Sequence, residues 1–278
     1  MPSQSFAGLV LDRPRLMAVI NTTPDSFSDG GEAFAVNDAV DRGRRCLEEG
    51  ADILDVGGES TRPGADPVDE AEELRRVLPV VEALAAEGAL VSIDTRRARV
   101  MREAVAAGAG IINDVSALSG EGALEAAADL NVPVILMHMR GDPKTMQVDP
   151  VYADVVAEVG EYLAGRAAAC RMAGNSADIA VDPGIGFGKT LQHNLSLLAN
   201  LGRLGGPGLP VLLGVSRKSF IARLDRDGPA QDRVAGSVAA ALAAWNQGVR
   251  LFRVHDVAAH RQAFAVHGAI AEEAAKGP

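Results

Sequence analysis

The chain has 278 residues, the size of one large α/β domain, and nothing in it calls for a second. Its 47% hydrophobic and 23% charged residues exclude a disordered or fibrous chain, and a formal net charge of −10 argues against a coat for nucleic acid or anionic membrane. Two cysteines, Cys46 and Cys170, are too few for a disulfide framework and read as small buried hydrophobes.

The first fifteen residues lack the basic start and long apolar run of a signal peptide. The longest apolar stretch, 238–245, is too short to span a bilayer, so a cytoplasmic location is expected. Residues 6–15 fit a short N-terminal hairpin. Apolar runs then recur at 16–20, 53–56, 90–93, 110–114, 134–137, 179–181, 211–214 and 251–254, each reading as a parallel strand buried on both faces. Between them, 36–49, 69–87, 98–107, 151–173, 193–204, 232–246 and 257–274 carry apolar residues at helical spacing. Eight βα units of about 35 residues suit a single-domain (β/α)8 TIM barrel spanning the chain, with its core over 15–275. A doubly wound open sheet is the rival, and a count of eight without a ninth favours the barrel. The acids at 69–73 read as a solvated helix face.

In such a barrel the chemistry belongs to the loops after the strands. Strand one runs into 21–31 (NTTPDSFSDGG), strand two into 57–64 (GGESTRPG) and strand three into Asp94-Thr95-Arg96. Strands four and five end in Asn113-Asp114 and His138, and strand six in 182–188 (DPGIGFG). Strands seven and eight end in Ser216-Arg217-Lys218-Ser219 and Arg253-Val254-His255-Asp256. Two groups emerge. Asp94, Asn113 and Asp182 make a hydrogen-bonding set, read as having no cations in its layer, that matches a flat heterocycle rich in N–H groups. Arg62, Lys218, Arg253 and His255, with the hydroxyls of Ser60 and Thr61, converge as donors suited to a phosphate or diphosphate. Lys218 is one of only four lysines, so its place at a strand end is notable.

Each element has a purely structural alternative. Asp94 or Thr95 serves as a helix cap, Asn113 or Asp114 pairs strand-end backbone, Arg253 and His255 pair with Asp256, and the glycines make tight turns. Polar chemistry at all eight strand ends is harder to explain that way. The run 184–190 (GIGFGKT) imitates a phosphate loop, but Pro183 stands where the Walker spacing needs glycine. His138 and His255 do not form a zinc-ligand pattern.

Taken together these segments resemble the dihydropteroate synthases, folate-pathway enzymes inhibited by sulfonamides. The matching stretches are 21–31, 55–64 (DVGGESTRPG), 92–95 (SIDT), 112–115 (INDV), 136–139 (LMHM), 182–189 (DPGIGFGK), 216–219 (SRKS) and 253–256 (RVHD). They run in family order across 16–256. Thr22, where many relatives carry Val, is a small departure.

The resemblance implies that 6-hydroxymethyl-7,8-dihydropterin diphosphate condenses with p-aminobenzoate to 7,8-dihydropteroate and diphosphate. It implies pterin contacts from Asp94, Asn113, Asp182 and Lys218, with walls from Met137, Phe187 and Gly214. Thr61, Arg253 and His255 would hold the diphosphate, joined by Arg62, and Asn21 would contact Mg²⁺. Phe27, Pro63, Phe187, Lys218 and Ser219 would surround p-aminobenzoate. Asp94, Lys218, Arg253 and His255 are the expected catalytic residues, and no general base is evident. The loops after strands one and two are expected to close as lids. A homodimer through the late helices is also implied. A methyltetrahydrofolate-binding methyltransferase and a catalytically silent pterin-binding protein are the competing readings. The former has no need of the diphosphate-facing cations, and the latter predicts a broken first loop or no Lys218.

Overall fold

The computed structural model describes residues 4–22, 32–60, 68–141, 145–204, 206 and 208–276. A two-stranded antiparallel hairpin, β1 (Ser5–Phe6) and β2 (Leu9–Val10), precedes eight parallel strands. These are β3 (Arg15–Asn21), β4 (Ile53–Gly57), β5 (Val91–Asp94), β6 (Ile111–Asp114), β7 (Val134–Met137), β8 (Ile179–Asp182), β9 (Leu212–Leu213) and β10 (Leu251–Val254). Each pairs with its sequence neighbour from β3 to β8, and β10 lies between β9 and β3. The remaining seam, between β8 and β9, is bridged by Val181 and Val211, with Val181 N donating to Pro210 O at 3.0 Å. The sheet is thus a nearly closed (β/α)8 barrel, and the open-sheet rival is set aside.

The helices are α1 (Glu32–Glu48), α2 (Glu70–Ala86), α3 (Ala98–Ala106), α4 (Ala123–Leu130), α5 (Val155–Met172), α6 (Leu191–Leu198), α7 (Ser219–Leu224), α8 (Val234–Trp245) and α9 (Val257–Ala275). Sequence periodicity misses α4 and α7. One has eight residues and the other six, too short for a helical period to register. The expected 193–204 helix is α6 followed by a separate 3₁₀ turn, Leu201–Arg203. Local capping fixes several starts: Asp69 accepts from Glu72 N before α2, and Thr190 with His193 forms a capping box before α6.

Strand alternation sorts the core into two. Outward-facing Ala18, Ile20, Leu54, Val56, Ile93, Ile112, Leu136, Val181, Phe252 and Val254 pack against the helices. Inward-facing Met17, Ile53, Ile111, Ile135, Ala180, Leu212 and Leu251 fill the barrel's lower half with Phe6 and Leu11 of the hairpin. Asp178 fixes that plug by accepting from Ala7 N at 2.9 Å. Cys46 and Cys170 are free and wholly buried, as their apolar surroundings predict. The acids at 69–73 are not all solvated. Glu73 is buried and bonded to Arg97, whose guanidinium also reaches Val68 O.

Candidate active site

Continuing the same alternation upward replaces the apolar interior with charge. From Ile53 the next inward residue of β4 is Asp55, from Ile111 that of β6 is Asn113, from Ala180 that of β8 is Asp182, and from Leu251 that of β10 is Arg253. The polar set therefore stands on strands, at the C-terminal mouth, over a packed aliphatic floor. Rigid elements hold it.

Arg253, drawn from the sequence with the second group, lies within the first. Arg253 crosses the mouth, donating from Nε to Asp55 Oδ2 at 2.6 Å and from Nη2 to Asp94 Oδ2 at 2.7 Å. Asn113 Nδ2 donates to the same Asp55 oxygen at 3.1 Å. The expectation of an acidic layer without cations is corrected, because uncompensated carboxylates could not be buried this densely. Lys218 stands at the opposite side, its Nζ donating to Ile185 O and lying 4.3 Å from the Phe187 ring centroid.

Burial pushes the Asp94 carboxyl above its usual range despite Arg253, and the nearby Asp55 adds to the rise. Asp182 is raised by burial too, against the pull of Lys218 and the Gly184 N–H that it accepts at 2.7 Å. Lys218 is pulled down to about 8 by burial, with Asp182 opposing and Arg253 adding to the fall. Arg253 loses by burial but gains more from Asp55 and Asp94, so it stays protonated.

Several structural alternatives are resolved. Asp94 caps nothing: Arg97 is the residue before α3, and Thr95 Oγ1 accepts its N–H at 3.3 Å. Asp114, not Asn113, serves the strand end, accepting from Ser116 N at 2.6 Å and Leu118 N at 2.9 Å. Asp256 pairs with Arg217 rather than with Arg253. His255 faces Ser216, whose Oγ lies 3.1 Å from its Nδ1.

Met137 is buried beside Asp182 in the strand register, and a Cβ on Gly214 would lie 3.7 Å from Asp182 Oδ2. Phe187 follows a loop that requires glycine. Gly184 has φ +64°, and a Cβ there would stand 1.9 Å from His138 O. Buried Lys189 ties this loop to β7, reaching His138 Nδ1 at 2.9 Å, His138 O at 3.3 Å and Phe187 O at 3.0 Å. Asn21 ends β3 opposite Gly57, and Ser219 is exposed at the start of α7. Phe27, Thr61, Arg62 and Pro63, and most of the two expected lids (23–31 and 61–64), lie outside the described residues.

The sequence reading overlooked Asp55 and Lys189. The available signal was chemical: a carboxylate in the middle of a fully buried strand (ILDVG), and one of four lysines directly after a glycine loop.

A family model for pterin binding enzymes matches residues 17–255. The dihydropteroate synthase of Escherichia coli K12 is 51% identical over 251 residues, covering 90% of this chain and 89% of that protein. The chain belongs to the dihydropteroate synthase family. A structure of the Xanthomonas albilineans dihydropteroate synthase with 4-aminobenzoic acid shares 54% identity at a TM-score of 0.89, covering 97% of this chain and 98% of that one. A second structure from that organism, in complex with 7,8-dihydropteroate, shares 51% identity at a TM-score of 0.86 with the same coverage.

Proposed function

We propose that this chain transfers the pterin methylene group, condensing 6-hydroxymethyl-7,8-dihydropterin diphosphate with p-aminobenzoate in folate biosynthesis. The products are 7,8-dihydropteroate and diphosphate. The observation that carries the reading is the mouth itself, where Asp94, Asn113 and Asp182 surround a space crossed by Arg253, with Asp55 buried beneath it. The acceptors suit the N–H edge of a pterin, and the cation beside them suits its diphosphate. Relatives solved with 4-aminobenzoic acid and with 7,8-dihydropteroate support this substrate pair.

The pterin lies between Met137, Phe187 and Gly214, bonded by Asp94, Asn113, Asp182 and Lys218. Arg253 and His255 face the diphosphate, with Thr61 and Arg62 from the second loop. Phe27, Pro63 and Ser219 with Phe187 and Lys218 receive p-aminobenzoate. The carbon–oxygen bond breaks first, its electron pair leaving with diphosphate, and the pterin ring spreads the positive charge of the methylene carbon. Asp94 and Asp182 favour that cation electrostatically, while Arg253 and His255 stabilise the departing oxygen. The arylamine nitrogen, held at close range, then forms the new C–N bond and releases a proton. The donor set fits Mg²⁺, since Asn21 offers a hard amide oxygen at the rim and such an ion takes most of its ligands from phosphate and water. When bound, Mg²⁺ neutralises charge on the diphosphate.

A homodimer in the cytoplasm completes the proposal. Val266 and Ile270, one turn apart on α9, are 57% and 64% exposed, which suits a covered late-helix face. Among the described residues no helix is long and apolar enough to cross a membrane. A single-protomer mass in light scattering at micromolar concentration would remove the dimer. Diphosphate release tests the reaction: release that needs both Mg²⁺ and p-aminobenzoate supports it, and release indifferent to p-aminobenzoate overturns it.

A further inference from the structure

Asp55 is wholly buried in β4, touches no solvent, and is not among the residues assigned above to a substrate contact. Its Oδ2 accepts from two partners that are: Asn113 Nδ2 at 3.1 Å and Arg253 Nε at 2.6 Å. Its Oδ1 is buried without a hydrogen-bond partner among the described atoms, as is Ser92 Oγ on the adjoining strand. A carboxylate held with one unpaired oxygen is a costly way to fill a barrel, where an apolar side chain would serve packing better.

The cost is explained by what the carboxylate imposes. An Asp paired with a guanidinium has only acceptors to offer, so the Asn113 atom facing it must be the amide nitrogen. That leaves the Asn113 carbonyl oxygen turned toward the mouth. With Asp94 and Asp182 already presenting acceptors, a reversed Asn113 would place a donor against a ligand edge that itself carries donors. The same Oδ2 holds Arg253 by Nε, which leaves Nη2 for Asp94.

We propose that Asp55 is a positioning residue that fixes Asn113 as an acceptor toward the pterin and anchors Arg253 across the mouth, and so sets specificity for an N–H-rich heterocycle. This rests on the pterin reading above.

The test compares Asp55→Asn with the reciprocal double variant Asp55→Asn/Asn113→Asp, using diphosphate release by the intact enzyme. In Asp55→Asn the amide of Asn113 loses its constraint, and KM for the pterin diphosphate rises by about tenfold or more while KM for p-aminobenzoate stays within about twofold. In the double variant the amide introduced on β4 keeps its oxygen for Arg253 Nε and turns its nitrogen toward the carboxylate introduced on β6, which again shows only acceptors to the ligand, and pterin KM returns to within about threefold of the parent. A pterin KM unchanged in Asp55→Asn, or no recovery in the swap, overturns the assignment. If the single variant fails to fold, the swap decides alone, and failure of both to fold makes Asp55 a structural residue and also overturns it. A parent enzyme without p-aminobenzoate-dependent release would instead refute the underlying function, so the two failures are distinguishable.

Discussion

Arg253 Nη2 lies 2.7 Å from Asp94 Oδ2 across the barrel mouth, although 159 residues separate them in the chain. Only 11% of the Asp94 side chain remains accessible, so the pair stands in a poorly solvated setting where removing one charge is felt strongly. Asp94→Asn keeps the shape but removes the charge that balances Arg253 and the developing pterin cation. Turnover should fall by about 10- to 100-fold, the worth of one charge-assisted hydrogen bond. Steady-state diphosphate release checks this, and activity within about threefold of the parent would refute the electrostatic role.

Activity should follow a narrow bell in pH. Binding a pterin with N–H donors needs Asp94 ionised, and its carboxyl is raised above the usual range by burial. Lys218 must be protonated, and burial brings it from 10.5 down to about 8. The kcat/KM for pterin diphosphate therefore falls on the acid side at a pH above that of an ordinary carboxylate, and on the alkaline side near 8. An alkaline limb near 10.5 would exclude the assignment to Lys218.

Folding carries the opposite acid-side sign. An acid whose pKa is raised in the folded state binds its proton more tightly when folded, so its contribution is full at low pH and is lost as pH climbs through the raised value. Asp94, Asp114, Asp182 and Glu73 all shift upward, led in each case by burial. The buried His138 and His260, both lowered by burial, act with the opposite sign, so the acid share is read by difference: in thermal melts of the ligand-free protein the Tm of the parent minus that of Asp94→Asn should fall from about pH 5 to about pH 7. A difference that rises over that window would contradict the buried charge at the mouth.

Gly184→Ala should be severe and Gly160→Ala mild. At Gly184 the backbone is left-handed and a Cβ would meet His138 O at 1.9 Å, whereas at Gly160, inside α5, nothing lies within 4 Å. The first change should cost more than about 2 kcal/mol or distort the Phe187 loop, and the second should gain up to about 1 kcal/mol from helix propensity. Urea unfolding of the two variants gives the comparison, and equal effects would count against it.

Lys189→Met should destabilise the loop after β8. It strands His138 Nδ1, His138 O and Phe187 O, and burial has already lowered the lysine to about 7. The loss should be about 1–3 kcal/mol, set by the unpaired buried acceptors. Chemical denaturation measures it, and a neutral or stabilising result would show that burying the amine costs as much as its bonds return.

Much of the architecture is legible locally. A run such as VILM at Val134–Met137 is too apolar for an exposed strand, and polar residues directly after each run mark the mouth. What escapes is short or distant. Strand β9 has two residues, and α4 is bounded by left-handed Gly122 and Asn131 rather than by a side-chain cap.

Hydrophobic period and turn chemistry, both local to the chain, are enough for the order of the strands, their burial on both faces and the placement of charge at their ends. They leave open whether Asn113 or Asp114 faces the interior, and they do not say what Asp55 meets. Both depend on the pleat parity of neighbouring strands in register. That Asp55 and Arg253, 198 residues apart, share one bond is settled by barrel closure alone, because closure brings β10 beside β3 and turns both side chains into the same small space.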